Sequence, residues 1–109
     1  MRIYIRSSPG WSRDSLALIR ERLEFALGRF SGRVRSLSVR FTDVNGPRGG
    51  RDKACRIHVR LDHPRRTFLI EDSDVDPAAV ISRAVSRTAR TVARAIDSAG
   101  DWRGLERAH

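Results

Sequence analysis

In Leu37-Ser38-Val39-Arg40-Phe41 and in Cys55-Arg56-Ile57-His58-Val59-Arg60-Leu61, apolar and polar residues alternate without a break. A period of two puts Leu37, Val39 and Phe41 on one face of a strand, and Cys55, Ile57, Val59 and Leu61 on one face of a second. The segment between them, Asp43-Val44-Asn45-Gly46-Pro47-Arg48-Gly49-Gly50-Arg51-Asp52, is dense in turn residues. A β-hairpin with a long arginine-bearing tip is predicted. Its apolar face needs a covering layer, and the flanking segments decide what supplies it.

Upstream, Arg2 to Arg6 alternates, with Ile3 and Ile5 inward, and Ser7-Ser8-Pro9-Gly10 breaks the strand. Ser12 is a good N-cap, and Trp11 with Leu16 fits a hydrophobic staple. The apolar stripe Leu16, Ile19, Leu23, Ala26, Leu27 and Phe30 predicts a helix to about Phe30, stopped by a left-handed Gly32. Downstream, His63-Pro64-Arg65-Arg66 makes a turn and Thr67 to Glu71 a fourth strand. Asp76-Pro77 opens a last helix with an N-cap and a proline at N1, running to about Asp97 with Gly100 as its stop. The order β-α-β-β-β-α predicts an α+β fold: a four-stranded, mainly antiparallel sheet with both helices on one face. One domain over residues 1–99 and a short tail over 100–109 are expected.

At 39% hydrophobic residues the 109-residue chain is globular rather than disordered. Its apolar runs are short and broken by arginine, so no membrane span is expected. The N-terminus lacks an apolar signal core, which points to the cytoplasm. Twenty-two basic against 13 acidic residues give +9. Four of the acids cluster at Glu71, Asp72, Asp74 and Asp76, so the remainder carries +13, which is 9 plus 4. Such a field suits a polyanion. Lys53 is the one lysine; arginine grips phosphate with a planar fork and stacks on bases. Codon bias can explain the Arg-to-Lys ratio, but not the net charge.

On a helical wheel Ile81, Val85, Thr88, Val92 and Ile96 share one side of the last helix, with Ala84 and Ala95 on its edge. Arg83, Arg87, Arg90 and Arg94 fall within roughly 60° of each other on the opposite side, with no acid among them. Like charges at this spacing repel, and a solvated face normally mixes both signs, so phosphate binding is the favoured use. In the first helix Arg13 and Arg20 flank one side of the stripe, and Arg22, Arg29 and Arg33 the other, diluted by Glu21 and Glu24. The candidate RNA-binding set is Arg83, Arg87, Arg90, Arg94, Arg20, Arg22, Arg29, Arg48 and Arg51. Leu18 and Phe25, seven residues apart, point away from the core and read as partly covered surface in preference to a small partner contact. The outer sheet face carries Arg6, Ser38, Arg40, Arg56, His58 and Arg60, with Tyr4 its one clear aromatic. Without a platform of sheet aromatics, RNA contact is expected with backbone and shape rather than base sequence.

An enzyme is not expected. Cys55 sits in phase with the apolar residues, a buried small hydrophobe. His58, His63 and His109 are scattered, and one cysteine with three histidines gives no zinc spacing. Capping and the helix dipole account for the acidic run at 71–76. The glycines around Pro47 fit neither a Walker nor a dinucleotide pattern. No cofactor, metal or small-molecule substrate is implied.

The segment Asp76-Pro77-Ala78-Ala79-Val80-Ile81-Ser82-Arg83-Ala84-Val85-Ser86-Arg87 resembles the second-helix motif of the ribosome hibernation-promoting factor family, also called ribosome-associated inhibitor or sigma modulation protein. That motif reads Asp-x-Tyr-Ala-Ala-Ile-Asp-Arg/Lys-Ala-x-Asp-Lys, and Asp76, Ile81, Arg83, Ala84 and Arg87 match it. The hairpin, with Asn45-Gly46, Gly50, Asp52-Lys53 and Cys55, resembles a single-domain bacterial subgroup. The resemblance covers roughly residues 1–98. Ala78, Ser82, Ser86 and the long hairpin tip depart from the pattern. The resemblance implies a double-stranded-RNA-binding-domain-like fold. It also implies docking to small-subunit ribosomal RNA in the channel for transfer and messenger RNA, with translation inhibited and Arg83, Arg87, Arg90 and Arg94 in contact. The dimerisation domain of the long forms has no counterpart in these residues, so ribosome pairing by that route is not expected; a monomer in solution is expected. The alternatives are a general structured-RNA binder and a protein–protein regulator of transcription.

Overall fold

The computed structural model describes residues 1–43 and 53–107, and side-chain surroundings up to residue 99. The elements are β1 (Arg2–Ser7), α1 (Arg13–Leu27), a 3-10 turn (Gly28–Phe30), β2 (Val34–Asp43), β3 (Lys53–Leu61), β4 (Arg66–Asp74) and α2 (Pro77–Arg107). The predicted order is thus observed. The four strands form one sheet in the order β1-β2-β3-β4. β2–β3 and β3–β4 pair antiparallel, while β1 pairs parallel to β2. A parallel neighbour needs a crossover, and α1 supplies it.

Alternation decides which face is covered. Leu37, Val39, Phe41, Cys55, Ile57, Val59, Leu61 and Ile70 are buried with Ile19, Leu23 and Leu27 of α1 and Val80, Ile81, Ala84, Thr88 and Val92 of α2. Both helices therefore lie on one face, as expected. Thr88 is the buried polar residue among the described ones, and its hydroxyl donates back to the Ala84 carbonyl at 2.8 Å, which satisfies it inside the core.

α1 starts as predicted: the Ser12 side chain accepts from the Ser15 N–H at 3.1 Å. Trp11 goes further than a staple. It stacks on Phe41, with ring centroids 4.1 Å apart, and its indole N–H donates to the Thr42 carbonyl at 2.9 Å. The β1–α1 loop is thereby fixed to the end of β2. Gly10, at φ 109°, makes this closure possible, because a Cβ there would collide with the Asp43 carboxylate. Lys53 completes the closure, donating to the Gly10 carbonyl and to Asp43, each at 2.7 Å. The chain's one lysine is thus a fold residue.

Three expectations need correction. Gly32 is not left-handed; Gly10 has the one positive φ among the described residues. α1 closes instead through the 3-10 turn, with Ser31 N–H to Gly28 O at 3.2 Å and Arg33 N–H to Phe30 O at 2.8 Å, which takes up end carbonyls without a left-handed residue. Gly100 is not a stop either, because α2 continues to Arg107. A helical glycine costs only about 1 kcal/mol relative to alanine, and Leu105-Glu106-Arg107 beyond it are good helix formers. Third, the acidic run is not a cap as a whole. β4 extends to Asp74, so Glu71, Asp72 and Asp74 lie on the strand, and Asp76 alone caps α2, accepting from the Ala78 N–H at 3.1 Å.

Candidate nucleic-acid interface

The buried side of α2 includes Val80, fully enclosed, and leaves Ile96 half-buried. Relative to the predicted stripe with its two edge alanines, the centre of the buried side turns by about 20° toward Val80. That rotation carries the leading arginines sideways, against β4. Arg83 Nε donates to Asp72 Oδ2 at 2.8 Å and Nη2 to Asp72 Oδ1 at 2.9 Å, a bidentate pair. Nη2 also reaches Asp74 Oδ2 at 3.0 Å and the Ser73 carbonyl at 3.2 Å. Arg87 donates to the Glu71 carbonyl at 2.6 Å. The expectation of four unneutralised arginines is therefore corrected at Arg83. The acids that pair with it come from a neighbouring strand, which a single-helix wheel cannot display.

The electrostatics follow. The Arg83 hydrogen bonds hold the Asp72 carboxyl below its ordinary range, with the Ser73 N–H assisting. Asp74 is lowered first by the Asp76 N–H and then by Arg83. The Arg83 guanidinium is pushed further up by the same two acids.

Arg90 and Arg94 are exposed and make no ion pair or hydrogen bond among the described residues. With Arg87 and Thr91 they line a shallow concavity of about 190 Å³. On its β4 side Arg94 lines a second groove, of about 220 Å³, with Arg66, Phe68 and Ala95. Arg66, whose guanidinium lies 5.3 Å from the Phe68 ring centroid, thus joins the strip. Sequence reading missed it because it sits at a turn and meets Arg94 only through the strand–helix packing.

The remaining candidates do not gather there. Arg22 lines a groove between the two helices with Leu18, Glu21, Phe25, Ala26 and Val85. Arg29 lies over the Phe30 ring at 4.5 Å. Arg20 is exposed on α1, roughly opposite Arg22 on the helix. Arg48 and Arg51 lie outside the described residues. Phe25 is 91% exposed, more open than the partly covered surface expected of it.

Cys55 is buried on the inner face as predicted, and burial, aided by Asp72, pushes its thiol up to about 12. A thiol so raised is a poor nucleophile. Among the described residues no group of three or more His, Cys, Asp or Glu is placed to hold a metal ion, and no helix is long and apolar enough to cross a membrane.

The fold, two helices on one face of a four-stranded sheet, has counterparts among solved structures. The chain is similar in fold to a ribosomal subunit interface protein from Coxiella burnetii, with a TM-score of 0.62 and 16% identity, over 86% of this chain and 96% of that one. It is similar as well to the N-terminal domain of Protein Y from Thermus thermophilus, with a TM-score of 0.58 and 23% identity, over 85% and 93%. No protein-family model matches the sequence, and no curated protein does.

Proposed function

We propose that this chain is a ribosome-associated regulator of translation that binds small-subunit ribosomal RNA and is not an enzyme. The observation that carries the proposal is the fold it shares with a ribosomal subunit interface protein over 96% of that protein's length. The net charge of +9 and the open arginines on α2 supply the chemistry such a partner needs. In this reading Arg87, Arg90, Arg94 and Arg66 form the primary phosphate strip. Arg20, Arg22 and Arg29 of α1, and Arg48 and Arg51 of the hairpin tip, add peripheral contacts. The protein works in the cytoplasm as a monomer, seated in the transfer and messenger RNA channel of an idle subunit and excluding its ligands.

Co-sedimentation with purified small subunits over a salt series tests this. If about six phosphates are neutralised, log affinity falls against log salt with a slope of about −4 to −5. Competition with unrelated duplex RNA separates the reading from general structured-RNA binding. Equal competition by any duplex, or a slope near zero, overturns it. Loss of messenger binding to subunits saturated with the protein is the expected result for occupation of the channel.

A further inference from the structure

The sheet face turned away from the helices is covered by nothing among the described residues, and its register places its residues in rows. Tyr4, Ser38, His58 and Leu69 stand side by side across the four strands. On one side of this row run Arg6, Arg40, Arg56 and Glu71, and on the other Arg2, Ser36, Arg60 and Thr67. Rows lie about 6.6 Å apart and neighbouring strands about 4.8 Å, so Arg6, Arg40 and Arg56 emerge within about 10 Å of one another. Like charges directly opposite across a sheet destabilise it. The one acid in these rows, Glu71, pairs with Arg56 at 3.1 Å. Arg6 and Arg40 have no acidic partner among the described residues. The middle row is half apolar: Tyr4 is 52% and Leu69 50% exposed, and together with His58 and the arginines of one flank they line a depression of about 460 Å³.

We propose that this open sheet face is a second nucleic-acid surface, one that takes single-stranded RNA: phosphates on Arg2, Arg6, Arg40 and Arg60, with a base stacked on Tyr4. An apolar row between two cationic rows matches a ligand that presents flat apolar faces and anionic groups along one strand. A duplex keeps its base faces stacked inside and gives Tyr4 and Leu69 nothing to meet. An acidic peptide offers charge but no flat face for the tyrosine. One aromatic sets no sequence, so the face tracks the backbone with little base preference. The helical strip and this face lie on opposite layers, so the chain can hold two RNA segments at once. The proposal rests on the RNA-binding reading above for its ligand class, but on a different surface.

The test is fluorescence anisotropy with a labelled twelve-residue oligouridylate at low salt, run beside small-subunit co-sedimentation. The substitutions Arg6→Gln, Arg40→Gln and Arg60→Gln together are expected to weaken oligouridylate binding at least about tenfold, and Tyr4→Ala about fivefold. The Arg90→Gln/Arg94→Gln chain is expected to bind it within about twofold of wild type. All these side chains are exposed, so melting temperatures stay near wild type. Ser38→Glu, which plants a charge in the middle row, is the second variant and should weaken binding even if the triple change perturbs the sheet. Wild-type affinity in both sheet variants overturns the proposal. So does competition by polyglutamate as strong as by oligouridylate, which points to an acidic protein segment. A wild-type chain that ignores oligouridylate but sediments with subunits overturns this surface alone; one that does neither overturns the ribosomal reading as well.

Discussion

The two ends of the arginine row on α2 are the same residue type on the same side of one helix, yet they have different fates. Arg83 is bound by two carboxylates of β4, and Arg87 by a β4 carbonyl. Arg90 and Arg94, one and two turns on, meet no acid among the described residues. The acids belong to one end of β4. Lys53 pairs with Asp74 at that end, while Arg66 faces Leu61 at the other, so the edge strand is acidic beside the start of α2 and basic beside its later turns. Arg83 fastens the edge strand to the helix, Arg87 touches that strand through one N–H and stays exposed, and Arg90 and Arg94 are left for solvent or a partner. Spacing on a helix reports which residues share a side; the adjoining element decides what they can do there.

The largest effect should come from separating the halves. Arg90→Gln/Arg94→Gln keeps helix propensity nearly constant and removes two phosphate contacts. At about 1 kcal/mol each, affinity for small subunits falls about thirtyfold and the salt slope becomes shallower by about 2. Melting is unchanged or slightly raised, since repulsion is relieved. Arg83→Gln should leave affinity within about twofold and lower the melting temperature instead. Equal losses of affinity in the two variants would erase the distinction.

The distinction was only partly legible in the sequence. Element order, helix positions and the inner face followed from periodicity, because Leu37 to Phe41 and Cys55 to Leu61 each have one apolar side and one polar side; the parallel pairing of β1 with β2 did not. The Ser12 and Asp76 caps were legible because both are local chemistry. Val80 falls outside the expected stripe and the half-buried Ile96 lies at its far side, an offset of about 20° that hides the approach of Arg83 to β4. Asp72 and Asp74 looked like dipole-compensating acids because β4 was read as ending at Glu71. Arg66 could not be assigned at all, since its relation to Arg94 exists only across two packed elements.

Val80 offers the next largest effect. It is fully buried at the leading end of α2, and Val80→Ala should cost about 2 kcal/mol through lost contacts and a residual cavity. Ile96→Ala, at a half-buried position, should cost less than half as much in the same urea titration. The reverse ranking would restore the unrotated wheel and remove the reason for the Arg83 tether. A smaller effect, of opposite sign on binding, is expected from Asp72→Asn/Asp74→Asn. It releases Arg83 into the cationic strip, so subunit affinity rises about threefold and the salt slope steepens by about 1, while the melting temperature falls. A gain in binding with a loss in stability separates a tethered arginine from one already engaged.

The smallest expected effect is a change with pH that only one half of the row should display. Asp72 and Asp74 both titrate below their ordinary values, held down by Arg83 and nearby backbone N–H groups. An unfolded aspartate titrates near about 3.9. A carboxyl lowered in the folded state stabilises fully above that unfolded value, and its contribution disappears as pH falls through the lower folded value. The melting-temperature gap between wild type and Arg83→Gln should therefore be constant from about pH 7 to pH 5, narrow below about pH 4, and close once both carboxyls are protonated. Being exposed, the contact should also weaken in high salt. Arg90 and Arg94 face no carboxylate among the described residues, so the small shift produced by Arg90→Gln/Arg94→Gln should not change across that window. A gap for Arg83→Gln that persists unchanged to pH 2 would mean that Arg83 stabilises by packing alone and that the acids of β4 do not hold it. The two halves of the row would then be electrostatically alike.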